Sequence, residues 1–185
     1  MKEKVPVSKA TRLINSGNVI LVSTVKDSKP NIITLAWQMP VSHTPPLLAI
    51  SVAKTHYSHE LIESSGEFVV NIPAADILDK VIYCGKHSGR QVDKFKEAGF
   101  TPAKAALVKP PLIKECIGHI ECRVASSHAA GDHTVFIGEI LEASCDKGLF
   151  VDNLWDIKNK EVNLIYHLGG DSFVTAEKKL LKPGE

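Results

Sequence analysis

Two apolar runs near the N-terminus, residues 19–26 and 31–37, are separated only by Asp27-Ser28-Lys29-Pro30. Residues of this kind form a turn, and so short a connection leaves no room for the crossover that parallel strands need. The two runs must therefore pair antiparallel, as a hairpin.

The rest of the chain repeats this theme. Pro40, Pro45 and Pro46 keep the next connection out of regular structure, and residues 47–52 form a third strand. Residues 68–72, 117–125, 133–144 and 163–167 read as further strands, with 129–132 as the turn between the two longest. Helical patterns are fewer. Ser8 caps a short helix with Ala10, Leu13 and Ile14 facing inward, ending at Ser16-Gly17. Residues 58–64 bury Leu61 and Ile62 and stop at Gly66, Asp76 opens a helix carrying Ile77, Leu78, Val81 and Ile82, and residues 92–98 form a last short one. Strands dominate both halves, strand–helix–strand alternation is missing, and there is no GxGxxG. The expected fold is mainly β: a closed or nearly closed antiparallel barrel with peripheral helices. It forms one domain over residues 1–185, with a charged tail at 177–185 that frays.

Composition narrows the function classes. At 44% hydrophobic and 23% charged, the chain is an ordinary globular protein rather than a disordered one. A net charge of +1 argues against a nucleic-acid footprint or a polybasic membrane anchor. The longest apolar runs, at 18–25 and 47–53, fall far short of the roughly 20 residues that span a bilayer. The N-terminal residues lack an apolar signal core, so a cytoplasmic protein is expected. Cys84, Cys116, Cys122 and Cys145 form no CxxC pair and the histidines are scattered, so no metal site is expected. Reduced thiols are the simple reading, with a redox role for Cys84, beside Gly85 and Ser88, as the alternative.

The chemistry concentrates at residues 30–58. A strand carrying Asn31, Thr34, Trp37 and Gln38 is followed by a second apolar strand that ends in Ser51 and runs into Lys54, Thr55, Tyr57 and Ser58. Hydroxyls and free amides at a helix start, beside an ammonium, make an anion site without a glycine-rich loop. An N-cap with a solvated lysine is the plainer alternative. A similar polar group recurs at His87-Ser88-Gly89-Arg90, with Lys94 farther on, and the two groups either close on one phosphate or serve two anions. Backbone groups at 34–38 suit the polar edge of a flat heterocycle, against the alternative of an edge strand whose Trp37 packs in the core. His133, in Gly131-Asp132-His133-Thr134, is either a turn histidine bonded to the Asp132 backbone or an imidazole beside a redox ring. GxSxG, HExxH and Walker patterns are missing.

Taken in order, these pieces resemble the flavin reductase-like family, and most of all its flavoredoxin and ferric-reductase-like members. The matching residues are Asn31-x-x-Thr34-x-Ala36-Trp37, Pro45-Pro46 with the strand to Ser51, Lys54-Thr55, the run from Ser65 to Asn71, Ser88-Gly89 with Asp93-Lys94-Phe95, and Gly131-Asp132-His133 leading to Gly138-Glu139. The resemblance covers roughly residues 10–170. It implies an FMN-binding split β-barrel of Greek-key type and a homodimer with FMN near the interface. Cofactor contacts would come from Asn31, from Thr34, Leu35, Ala36, Trp37 and Gln38 along the ring, and from Ser51, Val52, Ala53, Lys54, Thr55 and Ser58 along the ribityl chain and phosphate. Ser88, Gly89 and Lys94 would close the phosphate end. His133 would stand at the pyridine-nucleotide pocket, the only side chain given a catalytic role. The implied activity passes electrons from NAD(P)H through FMN to free flavin, ferric complexes or a protein acceptor. The alternatives are a flavoredoxin-type carrier without NAD(P)H activity and a non-enzymatic FMN-binding module. Lys54 stands where many relatives have Arg, and Phe173 where Tyr is frequent.

Overall fold

The computed structural model describes residues 4–14 and 17–176. The helix end expected at Ser16 and the fraying tail at 177–185 lie outside the described residues. Strands β1 (Ile20–Lys26) and β2 (Lys29–Leu35) form the expected hairpin, with Lys26 opposite Lys29. The two turn residues, Asp27 and Ser28, have φ of 49° and 61°, the left-handed geometry that matches the twist of a two-residue hairpin.

Five more strands complete one antiparallel sheet: β3 (Gln38–Ser42), β4 (Leu47–Ala53), β5 (Glu67–Ile72), and two of 13 residues each, which we label β8 (Gly118–Ala130) and β9 (His133–Cys145). Short pairs β6 (Pro102–Ala103) with β7 (Leu112–Ile113), β10 (Phe150–Val151) with β11 (Leu154–Trp155), and β12 (Ile165–Gly169) with β13 (Ser172–Thr175) lie outside it. The order in the large sheet is β2-β1-β5-β8-β9-β4-β3. The sheet curls until Ile20 and Val22, Ile33 and Leu35, Ile50 and Val52, Phe68, Cys122 and Phe136 share one interior with Ile62 of helix α1 (Tyr57–Ser65). No ladder joins the outermost strands β2 and β3, which follow one another in the chain, so the barrel keeps a seam there.

β1 is apolar on both faces because both are covered. Val19 and Leu21, with Ile32 of β2, face outward onto helices α2 (Leu78–Lys86) and α3 (Lys94–Glu97), where Val81, Cys84, Phe95 and Phe100 complete a second core. This layer sets the end of α2 and the start of α3 beside β2. Asp93 caps α3 by accepting from the Lys96 amide at 3.2 Å.

Three expectations need correction. The N-terminal helix is a 3₁₀ helix, Val7–Ile14, with Ala10, Leu13 and Ile14 exposed, because the barrel interior is already filled by sheet residues. Pro40 does not break regular structure but lies inside β3. An edge strand has no outer neighbour to claim the missing N–H, and the register shifts between Pro40 and Ser42. The last strand starts at Ile165 and pairs with β13, a partner with no signal in the sequence reading. Among the described residues, no helix is long and apolar enough to cross a membrane.

Candidate functional site

Three adjoining cavities follow β2 and the residues after it. The first, of 240 Å³, lies between Asn31, Ile33 and Thr34 of β2, residues 55–58 at the start of α1, residues 84–89 at the end of α2, and Lys94. The second, of 210 Å³, shares Thr34, Gly85 and Lys86 with it and adds Leu35, Ala36, His167 and Phe173. The third, of 290 Å³, shares Ala36 and adds Trp37, Gln38, Ser51 and Val135 with Thr11 and Ile14 of the 3₁₀ helix. Sharing these residues, they line up as a trough along β2, partitioned where Gly85 stands against Thr34. One end is polar and cationic, and the other is walled largely by apolar side chains.

The polar end is built on Asn31. Its side-chain nitrogen donates to the Ser58 hydroxyl at 2.7 Å, while its Oδ1 is buried with no partner. A buried carbonyl oxygen left unpaired is costly, and this one is covered by the protein itself rather than open to the cavity. Gly89 closes over it: a Cβ at that position would stand 1.9 Å from Asn31 Oδ1 and 3.2 Å from the Tyr57 ring. Only a residue without a side chain lets the 87–90 backbone approach so closely.

Lys94 enters from the other side. Its buried ammonium donates to the Ile32 and Cys84 carbonyls at 2.7 Å each, which leaves one of its three N–H donors. Burial lowers its pKa, with the nearby Cys84 opposing. The same burial pushes the Cys84 thiol up to about 11, against a smaller pull from Lys94. A thiol held protonated at neutral pH is a weak nucleophile, which lends no support to the redox alternative for Cys84. His56, at the N-cap of α1, has its pKa lowered by burial and then by the charges of His133 and Lys94.

The two polar groups seen in the sequence thus meet in one cavity: Thr55 and Ser58 on one wall, Ser88, Gly89 and Lys94 on the other. Lys54 is not among its lining residues. Its amide bonds the Asp132 carbonyl and its ammonium donates to the Gly131 carbonyl at 2.7 Å. The chain turns after β4 and carries that side chain toward the β8–β9 turn, so the buried cation of the cavity is Lys94. Val52 faces the barrel interior, on the opposite side of the pleat from Ser51 and Ala53. Ala53 lies opposite His133 in the β4–β9 ladder.

At the apolar end, the Trp37 carbonyl accepts from the Ser51 amide at 3.0 Å. Thr34 donates its hydroxyl to the Val81 carbonyl at 2.6 Å, and Gln38 is held by Asn18. With both side chains engaged, 34–38 is a fixed rail. Trp37 is 45% exposed and so does not pack in the core. Its ring lies 5.0 Å from that of His133, tilted by 33°. His133 in turn holds the Asp132 carboxylate, not its backbone, through Nδ1 at 2.7 Å.

Tyr57 and His87 belong to the two polar groups seen in the sequence but were given no role there, and Ile33, His56, Gly85 and Lys86 are lining residues that the sequence reading did not assign to the site, while Cys84 entered it only as a redox alternative. Their signal was adjacency: each neighbours a polar group already noted. Lys86 pairs with Asp171 at 2.8 Å, bridging α2 to the β12–β13 turn. Among the described residues, no group of three or more His, Cys, Asp or Glu could hold a metal ion.

The family model "Flavin reductase like domain" matches residues 12–169. The Escherichia coli protein YddH is 33% identical over 175 residues, covering 92% of this chain and 93% of its own. An NADH-dependent FAD reductase from Streptomyces globisporus is 29% identical over 126 residues, covering 68% of each chain. Among solved structures, flavoredoxin from Methanosarcina acetivorans superimposes with a TM-score of 0.83 at 29% identity, covering 100% of this chain and 96% of its own. Flavoredoxin of Desulfovibrio vulgaris gives 0.84 at 28%, covering 100% and 98%.

Proposed function

This chain belongs to the flavin reductase-like family, and from that premise we propose that it is an FMN-binding oxidoreductase that accepts electrons from NAD(P)H and passes them to free flavin, a ferric complex or a protein. The observation that carries this reading is the joining of Asn31, Ser58, Ser88, Gly89 and Lys94 in one cavity, with a spare ammonium N–H, beside two further cavities along β2 with room for a flat ring. The residues fit the group. FMN, when bound, supplies the hydride-accepting and electron-releasing chemistry.

The chain's own residues bind and orient. Lys94, Thr55, Ser58 and Ser88 would hold the phosphate, with Asn31 fixing the Ser58 hydroxyl in place. The backbone of 34–38 faces the polar edge of the ring, with Trp37 and His133 as the exposed lip against which a nicotinamide lies. His133 keeps Nε2 free for that partner because Nδ1 is engaged by Asp132. No side chain needs to act as acid or base, which accounts for the missing catalytic cluster. A homodimer fits the exposed row Trp37, Met39 and Val41, which share one face leading into and along edge strand β3. Free cysteines, three of them buried, suit a cytoplasmic protein.

A second reading, an electron carrier without useful NAD(P)H activity, is favoured by the likeness to two flavoredoxins over the whole chain. Anaerobic addition of NADH, and then NADPH, to the flavin-loaded protein separates the two. Rapid bleaching supports the reductase, and bleaching only with a reduced protein partner supports the carrier. Protein that stays colourless with excess FMN overturns both.

A further inference from the structure

A side chain outside the phosphate cavity braces one of its walls. Arg90 does not line it but crosses its outer wall. One guanidinium nitrogen donates to the Thr55 carbonyl at 3.3 Å and another meets the Glu60 carboxylate at 3.2 Å. The guanidinium also lies 5.0 Å from the centre of the Tyr57 ring. Thr55 and Tyr57 are themselves cavity wall. Three contacts thus hold the 87–90 loop onto the first turns of α1, and the planar fork of Arg makes all three from one side chain. Inside this brace, the Gly89 backbone is so near Asn31 and Tyr57 that a single added carbon would stand 1.9 Å from one and 3.2 Å from the other. The neighbouring cavity adjoins at Thr34, Gly85 and Lys86, toward the ring end of the trough.

We propose that Arg90 makes the site selective for a terminal phosphate, so that the protein takes FMN and rejects FAD. The inference rests on the reading of this trough as a flavin site and adds its specificity. FMN ends in a phosphomonoester, which stops inside the cavity. FAD carries a second phosphate and an adenosine beyond that point, and these must leave through the wall that Gly89, Asn31 and Tyr57 close. Arg90 is a positioning residue: it acts by keeping the loop seated, not by touching the phosphate.

The test is titration of the flavin-stripped full chain with riboflavin, FMN and FAD, read by flavin fluorescence, for the wild type, Arg90→Ala and Arg90→Lys. The wild type is expected to bind FMN at least about tenfold more tightly than FAD. Arg90→Ala should narrow that ratio by at least about threefold, mainly by admitting FAD, at an unchanged melting temperature of the flavin-free protein. Arg90→Lys, which keeps the charge but loses the fork, should narrow it as well and stands in if the alanine variant is unstable. Wild-type FAD binding as tight as FMN overturns the inference while leaving the flavin reading intact, as does equal weakening of both ligands in the variants. Failure of the wild type to bind any of the three flavins overturns the underlying reading, and the inference with it.

Discussion

The side-chain amide of Asn31 donates to the Ser58 hydroxyl at 2.7 Å across the buried junction of β2 and α1, and its own oxygen is left facing Gly89 without a donor. One half of the amide thus ties β2 to α1, and the other is what Gly89 packs against. Asn31→Ala should weaken FMN binding about tenfold, because it removes the buried bond that seats Ser58 in the cavity wall. Gly89→Ala should weaken it at least as much, because the new carbon collides with the Asn31 oxygen. In the double variant the collision is gone, so the combined loss should fall short of the sum by about 1 kcal/mol. Fluorescence titration of the four proteins checks this, and strictly additive losses would show that the two positions do not meet.

Lys94 predicts a pH dependence. Its ammonium is held between two carbonyls and its pKa is lowered by burial. Phosphate binding needs the charged form. FMN affinity should therefore be full below the lowered pKa and fall as pH rises through it, at a lower pH than an ordinary lysine would give. Lys94→Met should weaken FMN by roughly tenfold to a hundredfold, the worth of a hydrogen bond to a charged group, and remove the alkaline fall. Affinity measured from pH 6 to 10 in both proteins decides it. A wild-type profile that stays flat to pH 10 would exclude Lys94 as the phosphate cation.

How far the sequence could be read depended on the range of the interactions. The β1–β2 hairpin was legible because Asp27 and Ser28 are turn residues between apolar runs, a local signal. The double-sided burial of β1 explains the apolar run from Val19 to Val22, but which helices cover it is a long-range matter. Pro40 misleads because a proline reads as a break, and only its place at the edge of the sheet makes it harmless. Lys54 and Lys94 show the same limit at the site. Proximity in sequence put Lys54 beside Ser58, yet the turn after β4 carries it to Gly131, while Lys94 reaches the cavity by bonding backbone of β2 and α2. The arrival of residues 55–58 and 84–94 at one cavity is likewise a product of helix packing on β2, which no local pattern encodes.

The buried thiols predict a loss of stability at high pH. Cys122, inside the barrel, is pushed up to about 12 from 9.0, first by burial and then by Glu121, and Cys84 to about 11 from 9.0. Each folded pKa lies above its unfolded value, so the stability each contributes is whole below pH 9 and is lost as pH rises from there through the folded pKa. The slope is about 1.4 kcal/mol per pH unit for each thiol. Lys94 acts in the opposite sense, since its folded pKa is depressed, so slopes rather than absolute values carry the comparison. Cys122→Ala, which leaves Lys94 untouched, should lower the midpoint at neutral pH through lost packing but flatten the decline above pH 9 by one thiol's share. Urea unfolding at pH 8 to 11 checks it. Equal slopes in wild type and variant would mean that the Cys122 thiol ionises as readily folded as unfolded.

His133 separates donor handling from cofactor binding. Its ring lies 5.0 Å from that of Trp37, which lines the trough, and Asp132 fixes its Nδ1, so Nε2 is the nitrogen that would be available to a nicotinamide carboxamide. It does not line the phosphate cavity. His133→Ala should therefore slow reduction by NAD(P)H by about tenfold or more, the cost of one lost polar contact in the reacting complex, while FMN affinity changes by less than about threefold. Asp132→Asn should have a smaller effect in the same direction, because the amide still meets Nδ1 but no longer favours a single tautomer. Single-turnover bleaching with NADH and NADPH, set against FMN titration of the same preparations, distinguishes these outcomes. Parallel loss of FMN binding and reduction in His133→Ala would make His133 a support for the cofactor rather than for its electron donor.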